Sequence, residues 1–229
     1  MAAVAFIVEV GIPLGAAVYF WRRRDGTFWG FLVGVLGFYI SQPVLRLPLL
    51  SLLRTQAEWF AVLPYTNRGL YFLFLAFTAG LFEESARWFG MRFFRKGRMS
   101  WMDGLAYGLG HGGCEAAWLF FTQIFPAAMA GQLQTMGAAL GVFERIFTML
   151  VQLGLTFVVL QSLRKKKRTY LFLAIGLHTA VDFLIIIGNV WILEGLIAAE
   201  GVAALIYVLR LKKQWSDKKE RLDLKEEGL

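Results

Sequence analysis

Seven stretches of mostly apolar residues divide this chain, near residues 2–21, 27–46, 69–94, 101–125, 138–163, 169–188 and 190–211. Each is about 20 residues or longer, which suits a helix rising about 1.5 Å per residue across roughly 30 Å of hydrocarbon. In hydrocarbon every backbone N–H and C=O must find a partner within the protein, so stretches of this length fold as helices. The expected fold class is therefore all-α, a polytopic membrane bundle of about seven transmembrane helices. Composition agrees. Hydrophobic residues make up 58% of the 229 and charged residues 17%, where soluble domains average about 45–50% and 25%. Such a chain is too apolar to be disordered and a poor match to an ordinary water-soluble enzyme. Its single cysteine excludes an internal disulfide and a cysteine-based zinc or iron–sulfur site. No small-residue cleavage site follows the first stretch, which reads as a retained helix.

The net charge of +8 is a topology signal. Basic residues gather at Arg22-Arg23-Arg24, from Arg92 to Arg98, from Arg164 to Arg168, and from Arg210 onward. Each cluster follows an odd-numbered span. The linker 126–137 carries no charge, and only 46–68 places charges (Arg46, Arg54, Glu58, Arg68) on the other side. Basic residues concentrate in cytoplasmic loops, so the N-terminus is expected outside and the C-terminus in the cytoplasm. The basic face would also attract anionic lipid headgroups. No nucleic-acid module lies beneath this charge, and no nucleic-acid partner is expected. Residues 1–211 read as the transmembrane domain and 212–229 as a charged cytoplasmic tail, a short solvated helix or frayed end. Segment 47–66, with Pro48, Trp59, Phe60 and Pro64, reads as a half-buried helix on the outer surface.

Ionisable residues deep in a bilayer are costly, about 2.5–3.5 kcal/mol each, and are functional candidates by default. Three spans carry them four residues apart, on shared helix faces. They are Glu83 with Arg87 in FEESAR, His111 with Glu115 in GLGHGGCEA, and His178 with Asp182 in GLHTAVDF. Glu83 lies twelve residues from Arg95, His111 eleven from Ser100 and His178 ten from Arg168. These counts correspond to depths of roughly 18, 16 and 15 Å. Three polar groups at one depth imply a shared pocket near the midplane. Gly104, Gly108 and Gly112 form a small-residue stripe that would let a neighbouring helix approach, and by itself indicates only packing. Glu144 and Arg145 are adjacent, point about 100° apart on a helix, and are expected to snorkel outward in a structural role.

Two carboxylates and two imidazoles around a buried cavity suit water activation. A carboxylate takes a proton from water, and imidazoles or an ion they hold stabilise an oxyanion. With Glu83 and Glu84 adjacent, one can serve as an acid. These residues resemble the YhfC-type integral membrane proteins, a branch of the clan of CAAX-prenyl proteases and bacteriocin-processing enzymes, with the PrsW-type proteases more distant. The resemblance runs over roughly 69–188. It rests on a Glu-Glu pair followed by Arg (Glu83, Glu84, Arg87), a helix with a central His (His111), and a later helix with His178 and Asp182. Arg87 stands one residue nearer the pair than in CAAX proteases, and Asp182 replaces a more usual Asn. The resemblance implies an intramembrane endopeptidase in which Glu83 activates water, His111 and His178 bind the oxyanion or a metal, and Asp182 assists. Asp182 and Glu115 point towards metal ligation, so His111, His178, Glu115 and Asp182 are the candidate ligands of a divalent ion such as zinc. Glutamate-type and metal-assisted hydrolysis both stay open.

The alternatives belong to other classes. Intramembrane Glu, His and Asp also serve as proton relays, so a proton-coupled transporter or ligand-binding membrane protein is the second reading. The absence of an internal repeat ranks it lower. Bis-histidine haem ligation by His111 and His178 is disfavoured by the carboxylates and Arg87 beside them, and no haem or nucleotide is expected. A scaffold with a purely structural pocket is the fourth reading. The expected partners are the bilayer and a membrane-embedded or lipid-modified peptide or protein substrate, and the expected location is a cell membrane, the bacterial cytoplasmic membrane.

Overall fold

In a computed structural model, residues 1–95, 97 and 99–226 are described, the last ten of these by backbone alone. Lys96 and Arg98 of the expected basic cluster, Glu227, and the side chains of the charged tail from Lys218 lie outside the described residues. Among the described residues the chain is helical and has no strand. Helix α1 spans Ala2–Arg23 and α2 spans Thr27–Gln56. The short α3 is Glu58–Thr66. Helix α4, Arg68–Phe89, and α5, Trp101–Leu119, continue as wider π-wound turns through Phe94 and Ile124. Helix α6 is Thr135–Arg164, α7 is Thr169–Ile187, and α8 is Val190–Glu226.

Five of these helices, α1, α2, α6, α7 and α8, are long and apolar enough to cross a membrane. Helices α4 and α5 fall short on that measure. The reason is chemical, because they carry Glu83, Glu84 and Arg87 and the glycine-rich run around His111. The bundle's surface displays large apolar side chains, including Trp21, Trp29, Phe172 and Trp191, each about two-thirds exposed. Such a belt is a liability in water and a match for lipid.

The second expected span ends later than the sequence pattern suggests. The helix continues past Arg46 to Gln56, with Pro43 inside a π-wound segment, Ile40–Arg46. Proline removes one backbone donor, and the wider winding absorbs that loss. The break comes at Ala57, whose extended backbone (φ −117°, ψ 103°) turns the chain into α3.

Local signals set the phase of the site helices. Ser100 caps α5 through its hydroxyl, which accepts from the Asp103 N–H at 3.2 Å. Asp103 returns the bond by accepting from Ser100 N–H at 3.1 Å. The same Asp103 carboxylate holds Arg95, just past the end of α4, at 2.7 Å. The end of α4 and the start of α5 are thereby locked together. Asn67 caps α4, accepting from Leu70 N–H at 2.9 Å.

Close packing then fixes α5 between α2 and α6. A Cβ on Gly110 would run into the Phe31 carbonyl of α2, and one on Gly108 would meet a Leu153 methyl of α6 at 2.7 Å. Only glycine permits both approaches. One end of the bundle is a packed apolar core, with Tyr107, Phe157, Leu160 and Val208 all within 1% of full burial. This end also gathers the basic turns. The Phe20–Phe31–Ala106 cluster and the Leu163–Leu211 region bring their neighbourhoods together there.

Candidate active site

Of the three polar pairs expected within single helices, only His178 and Asp182 stay near one another, and the strongest bonds of the cluster run mostly between helices. Arg87 does not pair with Glu83. Its Nη1 donates to both Glu84 oxygens, at 2.8 and 2.9 Å, and its Nη2 donates to Gln152 Oε1 at 2.5 Å. His111 does not pair with Glu115. Its Nε2 meets Glu83 Oε2 at 3.0 Å. His178 uses Nδ1 on Glu84 Oε1 at 2.7 Å, while its Nε2 stands 3.7 Å from Asp182 Oδ2. Each glutamate of the adjacent pair thus holds one histidine. Consecutive residues on a helix diverge by about 100°, so Glu83 and Glu84 can reach α5 and α7 separately.

Glu83 accepts from three side chains. Gln42 Nε2 donates to Oε1 at 2.6 Å, and His111 and Gln152 Nε2 approach Oε2 at 3.0 and 3.2 Å. Glu83, Glu84, Arg87, His111 and His178 are all buried. An unpaired charge in such a place costs several kcal/mol, so the cross-helix bonds are what make the cluster tolerable.

Histidine tautomers follow from the partners. A carboxylate only accepts, so His178 Nδ1 carries the proton that Glu84 holds, and Nε2 turns towards two further carboxylates, its lone pair facing them only if an ion or water stands between. Nε2 stands 3.9 Å from Glu83 Oε2 and 3.7 Å from Asp182 Oδ2. The same logic gives His111 its proton on Nε2. Its Nδ1 and the Tyr107 hydroxyl, four residues away on α5, have no hydrogen-bond partner among the described residues.

His178 and Asp182 line a cavity of about 330 Å³, together with Arg46, Glu115, Arg145 and Gln152. Glu83 and His111, bonded to each other, are not among the residues lining it. Glu115 is occupied on both oxygens, by Arg145 at 3.1 Å and by Gln152 at 2.7 Å. The expectation that Glu144 and Arg145 snorkel outward is corrected. Arg145 turns inward, bonding Glu144 as well as Glu115, and both residues line the cavity. Glu115, one helix away, offers it an anionic partner that lipid cannot.

Gln42, Arg46 and Gln152 are site residues that the search for buried charges passed over. Gln152 joins Arg87, Glu83 and Glu115 in one network. Arg46 donates to Gln42 Oε1 at 2.9 Å and so connects to Glu83. Amides within otherwise apolar spans were the available signal for Gln42 and Gln152.

The donor set suits a divalent cation. An imidazole nitrogen whose tautomer is fixed from behind by a carboxylate is the usual posture of a metal-binding histidine. His178 Nε2, Glu83 and Asp182 would be the residues to hold such an ion. Among the described residues no three His, Cys, Asp or Glu side chains stand together as a ready-made cage.

Comparison with known proteins agrees with the resemblance read from the motifs. The chain matches the family described as YhfC intramembrane metalloprotease over residues 7–130 and 122–207. It is 28% identical over 236 residues to the "Uncharacterized membrane protein YhfC" of Bacillus subtilis (strain 168), covering 90% of each chain. No solved structure matches it. Matched across nearly its whole bundle, site helices included, this chain belongs to the YhfC family of membrane proteins.

Proposed function

We propose that this protein is an intramembrane endopeptidase that hydrolyses a peptide bond of a membrane-associated substrate. The family description supports the class of activity. The observation that carries the reading is the posture of His178. Glu84 fixes Nδ1, and Nε2 faces Asp182 in the wall of a cavity and Glu83 beside it.

Glu83 is the proton acceptor for the attacking water and returns the proton to the leaving amine. Gln42, His111 and Gln152 hold its carboxylate in one orientation. Glu84 and Arg87 anchor His178 from behind. Asp182, at the cavity wall, orients water or substrate beside His178. His178, Glu83 and Asp182 would hold a divalent ion, which would supply Lewis-acid chemistry to the site. The bacterial relative and the basic clusters support a place in the bacterial cytoplasmic membrane, with the basic face in the cytoplasm.

The test compares wild-type protein with Glu83→Gln in nanodiscs, using a library of single-span peptides. The variant is expected to lose about 100- to 10,000-fold in cleavage rate, with its thermal unfolding still cooperative. Equal cleavage by both would remove Glu83 from the chemistry. Metal analysis of purified wild type and His178→Ala separates the two mechanisms. One divalent ion per chain, lost in the variant, supports metal assistance, and a metal-free active wild type supports the glutamate route.

A further inference from the structure

The two ends of the bundle differ in a way that bears on how the site is reached. Most of the residues lining the cavity lie at the level of His178 or beyond it, away from the basic clusters. On α4 these are Phe72, Leu75 and Ala76, near the helix start at Arg68. On α7 they run from His178 to Ile185, towards the helix end at Ile187. On α8 they are Leu193 and Ile197, near its start at Val190. On α6 they run from Glu144 to Leu155 through the middle of the helix, with Glu144, Arg145 and Thr148 in the half nearer Thr135. All four of those helix ends are remote from Arg22–Arg24, Arg164–Arg168 and Arg210.

On the basic side a packed core lies at the centre of the bundle, and an apolar cavity of about 670 Å³ between α2 and α4, lined by Leu36, Gly37, Phe89 and Phe94, runs along its flank. Tyr107, Phe157, Leu160 and Ala174 are buried to within 1%, and Met91 and Leu163 nearly so. Side-chain exposure falls along the cavity in the same direction. Asp182 is 39% exposed and Glu144 31%, while Glu84, Arg87 and His111 are fully buried.

The walls of the open side mix charged groups, Arg46, Arg145 and Asp182 among them, with apolar side chains such as Phe72, Leu155 and Ile197. Arg46 uses three of its five N–H groups on neutral acceptors, Gln42, Thr78 and the Leu75 carbonyl. Among the described residues it has no carboxylate within ion-pair distance, unlike Arg23, Arg87, Arg95 and Arg145. Two of its N–H groups are left for something that enters the cavity. A space of this size and polarity has room for several waters and for an extended peptide segment.

We infer that the site is served from the face opposite the basic clusters, through this cavity, and that its substrate is a polar, extended peptide segment flanking a membrane span on that face. The substrate half of this inference rests on the peptidase reading. The access half does not. A chain entering through the centre of the basic end would have to unpack Tyr107, Phe157 and Leu160, and the cavity between α2 and α4 is lined by apolar side chains and by none of the site's charged groups. The charged side chains among the lining, Arg46 and Asp182 above all, disfavour a hydrocarbon chain as the occupant.

Cysteine accessibility tests this without any substrate. In a Cys114→Ser background, Thr148→Cys places a thiol in the cavity wall and Lys167→Cys places one in an exposed basic turn. Both are exposed to a membrane-impermeant methanethiosulfonate in right-side-out and in inverted vesicles. The two thiols are expected to react from opposite sides of the membrane, each at least tenfold faster from its own side. Reaction of both from one side, or no reaction of the cavity thiol from either side, would overturn the inference. Val181→Cys, on another wall of the cavity, provides the same readout if Thr148→Cys fails to fold. Opposite-sided labelling combined with unchanged cleavage in Glu83→Gln would keep the access route and remove the peptidase reading.

Discussion

Two groups of charges sit in this bundle, and they are built differently. The inner group is Glu83, Glu84, Arg87, His111 and His178. Its side chains are 0–6% exposed, and each is tied to another helix. The outer group is Glu115, Glu144 and Arg145, with 13–31% exposure at the cavity wall. The inner group has no water to fall back on when a partner is lost. The outer group has the cavity. Charge in an apolar bundle is therefore tolerated in two ways, by complete internal pairing or by access to a polar space. In the proposed site both meet at His178, which is paired on Nδ1 and open on Nε2.

The contrast can be broken most sharply at Arg87. Replacing it with alanine leaves the Glu84 carboxylate and the Gln152 carbonyl oxygen buried without their donor. Loss of about 3–5 kcal/mol is expected, read as a collapse of the folded fraction in detergent. Gln152→Leu keeps the volume and removes hydrogen bonds to Arg87, Glu83 and Glu115. It is expected to cost about 1–3 kcal/mol in thermal unfolding and to slow any Glu83-dependent cleavage. Glu144→Gln, in the outer group, is expected to cost less than about 1 kcal/mol and to lose even that at high salt. A Glu144 variant as damaging as the Arg87 one would dissolve the distinction.

The smallest expected effect lies outside the spans. Asp25, in the turn after α1, accepts from the Thr27 hydroxyl at 2.6 Å and its N–H at 3.0 Å, and Arg23 adds a bond at 2.8 Å. The Thr27 bonds, with help from Arg23, pull its pKa from 3.8 down to about 2. A lowered carboxylate pKa contributes stability that is complete above the unfolded value and lost as pH falls through the folded one. Asp25→Asn should therefore unfold slightly earlier than wild type at pH 6, with the gap closing between about pH 4 and pH 2. A gap that widened on acidification would contradict the hydrogen-bond assignment.

Much of the site was legible because ionisable residues inside apolar helices stand out. Glu83, Glu84, Arg87, His111, His178 and Asp182 are conspicuous for that reason alone, and their equal depth follows from a constant rise per residue. Their partners were not legible. Helical spacing pairs Glu83 with Arg87 and His111 with Glu115, yet Glu83, His111 and Glu115 find their partners on other helices and Arg87 pairs with Glu84 one turn away on its own. Gln42 and Gln152 carry no charge, so nothing about membrane insertion marked them. Arg46 was assigned to an outer segment because the break in α2 comes eleven residues later, at Ala57.

By itself the sequence determined the helical class, the approximate spans, the basic end and the residues that would have to be buried together. Those properties are local, set by hydropathy over about 20 residues and by the rise of a helix. Only the tertiary structure decided which carboxylate holds which histidine, that Arg145 turns inward, and that the cavity opens away from the basic turns. These depend on how α2, α5 and α6 interlock at Gly110 and Gly108, where contact between helices far apart in the chain sets rotation and height.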